Sequence, residues 1–140
     1  MVAPTNVRLS QRVEADLRRF AAGTARTKSA VINTALDEWL IMQAHPRIRF
    51  VQIETGERLA ALCDGPQVWV IAESWLAHEQ SERSAATIAE VLGLTQRDIE
   101  AALNYWADHR AEIDEVVARH RAAQDDALAA WERREALSAA

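Results

Sequence analysis

The sequence predicts a mainly α-helical protein with short β-segments. Three observations carry this. Apolar residues recur at helical spacing over most of the chain. Strand-like stretches are short: Thr5 to Ser10, which alternates, and Ile48 to Ile53 and Leu59 to Cys63. From Thr95 onward there is neither proline nor glycine, so a long closing helix is expected. The 140 residues suffice for one domain or two small ones. The patterning divides them into 1–44, 45–117 and a helical tail, 118–140.

Residues 1–4 are expected to form a mobile arm, with Pro4 marking the start of a strand. In Thr5-Asn6-Val7-Arg8-Leu9-Ser10, Val7 and Leu9 face one way and Asn6, Arg8 and Ser10 the other. A strand this short has no partner in the first forty residues, so its natural partner is the same strand of a second copy. Ser10 is a good N-cap for a helix over Gln11 to Ala22, whose inner face is Val13, Leu17, Phe20 and Ala21. Gly23 is expected to terminate it in the left-handed conformation. Thr27 caps a second helix that opens with Lys28 and Ser29. Its stripe of Val31, Ile32, Ala35, Leu36, Trp39 and Leu40 is wider than the first helix can cover. A second chain would bury the remainder.

This order of strand, Ser-capped helix, Gly break and Thr27-Lys28-Ser29-Ala30 opening resembles the Arc/MetJ/CopG ribbon-helix-helix superfamily. The resemblance covers about the first third of the chain. It implies a dimeric β-ribbon plus two helices, with the paired strands entering the major groove of double-stranded DNA. Asn6 and Arg8 fall on the groove-facing positions: an amide matches the edge of adenine and a guanidinium fork that of guanine. Ser10, Lys28 and Ser29 complete the expected DNA face, the free N–H groups and positive end of the second helix clamping a phosphate. Val7, Leu9, Val31, Ile32, Leu36 and Trp39 form the expected dimer interface. The plainer alternative for Asn6 and Arg8 is a solvated edge strand.

Pro46 stops the second helix. Ile48 to Ile53 and Leu59 to Cys63 read as strands of a hairpin, with turn residues at Thr55 to Arg58 and a strong turn at Asp64-Gly65-Pro66. Gln67 to His78 is assigned to a helix because Ile71, Trp75 and His78 share a face. A polar loop, Glu79 to Arg83, leads to a helix over Ala85 to Leu92 capped by Ser84. Gly93 turns the chain, and Thr95 caps the next helix with Ile99, Leu103 and Trp106 inward. Ile88 to Ile99 thus has the shape of a helix-turn-helix. Its second helix opens with Gln96, Arg97, Asp98 and Glu100, a mixed start that favours a structural role over DNA reading.

His45-Pro46-x-Ile48, Val68-Trp69-Val70-Ile71, Leu94-Thr95-x-x-x-Ile99 and Ala102-Leu103-x-Tyr105-Trp106-Ala107-Asp108-His109 together resemble the antitoxin-associated domain of unknown function 433. The glycine-rich approach to the valine stretch is reduced here to Asp64-Gly65-Pro66. Members of that family often accompany PIN-type toxins, so the resemblance implies a protein toxin as partner.

One helix is expected from Thr95 to about Ala136, with a bend or break possible at Ala122 to Asp126. Its apolar stripe thins after Val117. Leu128, Trp131 and Leu137 then read as anchors for a partner's groove. A frayed helix with one packed tryptophan is the alternative.

Hydrophobic residues make up 49% and charged residues 26%, as expected of a folded soluble protein, and no run approaches the length of a membrane span. No basic segment followed by an apolar run opens the chain, so no signal peptide is expected. The single cysteine, Cys63, fits the cytoplasm, near the bacterial nucleoid. The net charge of −5 is unevenly spread. Residues 1–50 carry eight basic and four acidic groups, net +4; the rest carries 8 and 17, net −9. A cationic head suits phosphates; the anionic body suits either solvent or a different partner. His109 with Glu112 is an i, i+3 pair with no further ligand at metal spacing, and Cys63 has no nucleophile context. No phosphate loop or Gly-x-Ser-x-Gly is present. Neither enzyme activity nor a cofactor or metal is expected. The expected assembly is a homodimer or a higher even oligomer, with DNA and a toxin as partners.

Overall fold

A computed structural model describes residues 3–140; the expected arm at residues 1–4 lies partly outside that range. The protein is mainly helical, with one two-stranded antiparallel sheet and a long C-terminal helix. The described chain forms two compact units, one ending at Ala44 and the other running from His45 to Ala140.

The first unit holds α1 (Gln11–Thr24) and α2 (Lys28–Ala44). The Ser10 hydroxyl accepts the Val13 amide at 3.4 Å, the expected N-cap. The expected stop at Gly23 is displaced. Gly23 is helical, and Ala25 takes the left-handed conformation instead, at φ 54°. The Thr24 hydroxyl donates to the Phe20 carbonyl at 2.8 Å, and the Ala25 and Arg26 amides both donate to the Ala21 carbonyl. These bonds satisfy the last carbonyls of a helix two residues longer than Gly23 alone would allow. Thr27 caps α2 as expected, its hydroxyl accepting the Ala30 amide at 3.1 Å.

In the second unit, β1 (Ile48–Gln52) and β2 (Arg58–Leu62) pair with Ile48 opposite Leu62 and Phe50 opposite Ala60. Gly56, at φ 85°, makes the turn. Then follow α3 (Val68–Ala77), a 3-10 turn at Gln80–Glu82, α4 (Ala85–Leu92), α5 (Gln96–Asp108) and α6 (Arg110–Ser138). The helix α3 is the hub. Its Val68, Ile71 and Ala72 are fully buried, and it packs on β2, α4, α5 and α6. Arg83 donates to the Leu76 and His78 carbonyls, closing its C-terminal end. Ser84 caps α4, Gly93 ends it at φ 67°, and Thr95 caps α5. The core is completed by Ile48, Leu62, Ile88, Ile99, Tyr105 and Ile113. No buried polar side-chain atom among the described residues is left unpaired.

Two expectations for the end of the chain need correction. The helix from Thr95 is not continuous: it breaks at His109, at φ −123° and ψ 47°, into α5 and α6. No local breaker causes this. Tertiary bonds across the corner hold it, with the Tyr105 hydroxyl donating to Glu112 at 3.0 Å and the Trp106 indole to Asp114 at 2.8 Å. Conversely, α6 runs unbroken through Ala122 to Asp126 and through the proposed boundary at 118. Alanine and charged residues throughout that stretch leave nothing to interrupt it.

Candidate nucleic-acid interface

The first unit lacks a core of its own. Among its described residues only Ala21 is buried, while Val13, Phe20, Ile32, Leu36, Trp39 and Leu40 are between 37% and 58% exposed. The helix α1 is amphipathic, but apolar side chains spread around much of α2, more than one face of α1 can cover. What remains is an open apolar groove of about 550 Å³. All six expected interface residues line it: Val7, Leu9, Val31, Ile32, Leu36 and Trp39. The groove thus joins the segment before α1 to both helices.

That segment, residues 3–10, carries no assigned strand, and the sheet found among the described residues is the β1–β2 hairpin. A strand is defined by its ladder, and this segment has no ladder within one chain. Asn6, Arg8 and Ser10 are exposed, Val7 is 69% exposed, and Leu9 is half-buried over the groove. The alternation therefore survives as a segregation: apolar residues lean on the groove while Asn6 and Arg8 face water.

Lys28 and Ser29 stand exposed in the first turn of α2. Lys28 is not a free cation. Its ammonium donates to a carboxylate oxygen of Glu14 on α1, and Arg18 approaches the same oxygen at 3.3 Å. The hydrogen bond from Lys28, then its charge, holds the Glu14 carboxyl below its ordinary range. Glu14 was legible only as a surface acid on α1, because nothing in sequence spacing links positions fourteen residues apart on different helices. A phosphate at the start of α2 has to compete with it. Arg26, at the bend between the helices, donates to the Thr34 hydroxyl at 3.2 Å.

In the second unit, α4 and α5 form the expected helix-turn-helix shape about Gly93. Its second helix starts in self-satisfied bonds: Thr95 to Asp98, Gln96 to Glu100, and Arg47 to Asp98 at 2.9 Å. Glu90, Arg97 and Glu100 are exposed, so the start of this helix carries mixed charge. His109 Nδ1 lies 3.7 Å from Glu112, and no cluster of three or more potential metal ligands occurs among the described residues. Leu128, Trp131 and Leu137 on α6 are 55%, 50% and 74% exposed. No described helix is long and apolar enough to cross a membrane.

No protein-family model matches the chain, and neither a curated protein nor a solved structure matches it significantly.

Proposed function

We propose that the chain is a homodimeric DNA-binding protein whose first unit is a ribbon-helix-helix head. The observation that carries this reading is the open groove. The head's apolar side chains lack a core that a second copy, laid over the groove, supplies. Pairing the two segments through Val7 and Leu9 then presents Asn6 and Arg8 from both chains on one polar face. Such a ribbon suits the major groove. The first unit carries six basic against four acidic groups, since Arg47 and Arg49 belong to the second unit, and this smaller positive balance supports contact with phosphates.

On the resemblance of the second unit to domain of unknown function 433, we assign the protein to the antitoxins of type II toxin–antitoxin systems. It would neutralise a PIN-like RNase and repress its own operon. The strong negative charge of the second unit and the exposed anchors on α6 favour a basic protein partner. A stand-alone regulator or DNA-organising protein is the second reading, favoured by the same head with no toxin required. Co-expression with the adjacent gene, followed by co-purification and DNA binding, separates them. A co-purifying RNase supports the antitoxin. Binding to DNA without such a partner supports the regulator, and failure to bind DNA at all removes both.

A further inference from the structure

The corner between α5 and α6 is made without any residue that makes corners. One residue, His109, separates helices of 13 and 29 residues, and no proline or glycine follows Gly93. The start of α6 has no side-chain cap, whereas α1, α4 and α5 are capped by Ser10, Ser84 and Thr95. The local sequence therefore encodes continuation, not a helix start. Ile99, Ala102, Trp106, Ile113 and Val117 would all fall on one face of an unbroken helix, and all five are buried. The same side chains can serve a bent or a straight arrangement. The contacts that favour the bend lie within one chain: Tyr105 bonds to Glu112 and Trp106 to Asp114, the His109 ring stacks on Tyr105 at 4.3 Å, and Arg110 lies over the Trp106 ring.

We propose that His109 is a hinge at which α6 exchanges between two copies of the chain. Straightening α5 into α6 removes α6 from its own α3 and delivers it to the α3 of a second copy. The packing surface of α6, including the stack of His120 on Trp69 and the paired bonds of Arg119 to Glu57, is then re-formed between chains. The occupant is a second copy because only this chain carries the complementary surface already seen within one molecule. This does not depend on DNA binding or on the dimer formed by the head.

The test uses the full chain with Cys63→Ser, Glu57→Cys and Arg119→Cys, refolded at high protein concentration and treated with a short bismaleimide. Exchange gives a covalent dimer on a denaturing gel. In the same background, Arg110→Pro blocks straightening, since its ring would clash with the Trp106 carbonyl in a continuous helix, whereas proline suits the first position of a separate α6; the cost is the Arg110 contact with the Trp106 ring. His109→Ala favours straightening. We expect the dimer band to fall several-fold with Arg110→Pro and to rise several-fold with His109→Ala. The head dimer is common to all three proteins, so a band caused by its proximity would not change. Cross-links confined to single chains throughout, or a dimer band equal in all three, would overturn the proposal. If circular dichroism shows Arg110→Pro to be unfolded, the His109→Ala arm decides, and an unchanged band overturns it.

Discussion

The Lys28 ammonium is hydrogen-bonded to the Glu14 carboxylate across the two helices of the first unit. The residue proposed to clamp a phosphate is thus already engaged by an internal anion. Glu14→Gln removes that competitor. DNA binding at about 0.1 M salt is expected to tighten by on the order of two- to five-fold, with a steeper salt dependence. Fluorescence anisotropy across a salt series measures both. Unchanged or weaker binding by Glu14→Gln would count against a phosphate at the start of α2.

The same pair has a pH signature. Interaction with Lys28 lowers the Glu14 pKa in the folded protein. Its contribution to stability is therefore fully present above the ordinary carboxylate pKa and is lost as pH falls through the lowered folded value. Carboxyl titration followed by NMR should show Glu14 titrating below its ordinary value in the wild type and returning toward it in Lys28→Ala.

Leu36 is 52% exposed in the groove that a second copy is proposed to cover. Leu36→Asp places an unpaired charge at that surface. The dimer dissociation constant should rise on the order of 100-fold or more. Sedimentation equilibrium reads this directly, and a variant that associates as tightly as wild type would place the interface elsewhere.

The displaced stop of α1 makes a paired prediction. Ala25 holds a left-handed conformation that glycine tolerates, and Gly23 sits in a helix with open space where a Cβ would go. Ala25→Gly should stabilise by about 1 kcal/mol and Gly23→Ala by roughly 0.5–1 kcal/mol. Urea denaturation checks both. Destabilisation by either would mean that the helix ends at Gly23 after all.

Tyr105 is fully buried, and its hydroxyl donates to both oxygens of Glu112, at 3.3 and 3.0 Å. Tyr105→Phe should cost about 1–2 kcal/mol, the worth of a hydrogen bond to a charged group moderated by the partial exposure of Glu112. Thermal or urea melts measure it, and no loss would show that the Tyr105–Glu112 bond does not hold the α5–α6 corner.

Much of the second unit was readable from local signals. Ser84, Gly93 and Thr95 mark helix ends through chemistry confined to a few residues, and the hairpin follows from two short apolar runs on either side of turn residues. The corner at His109 was not readable, because it is imposed by partners seven and eight residues away and no residue at the break announces it. Gly23 misled for a related reason: a glycine permits a left-handed stop, but the Thr24 hydroxyl and two amides supplied a better one further on. In the head, the exposed apolar stripe of α2 was visible as an excess over what α1 covers. The Glu14–Lys28 pair was not, since the two positions meet only through the angle between helices. Tyr105 read as part of a motif, while Leu103 was assigned inward; the reverse weighting holds, with Tyr105 fully buried and Leu103 half-buried.

The central claim is that the first unit reads DNA as a dimer through Arg8 and its neighbours. It is tested most directly by anisotropy titration of labelled DNA from the region upstream of the protein's own gene, in excess nonspecific competitor, with wild type and Arg8→Ala. The expected result is competitor-resistant binding by the wild type, weakened by about 1–3 kcal/mol in Arg8→Ala, with relaxed sequence preference. Equal binding by the two proteins, or none by the wild type, would contradict it.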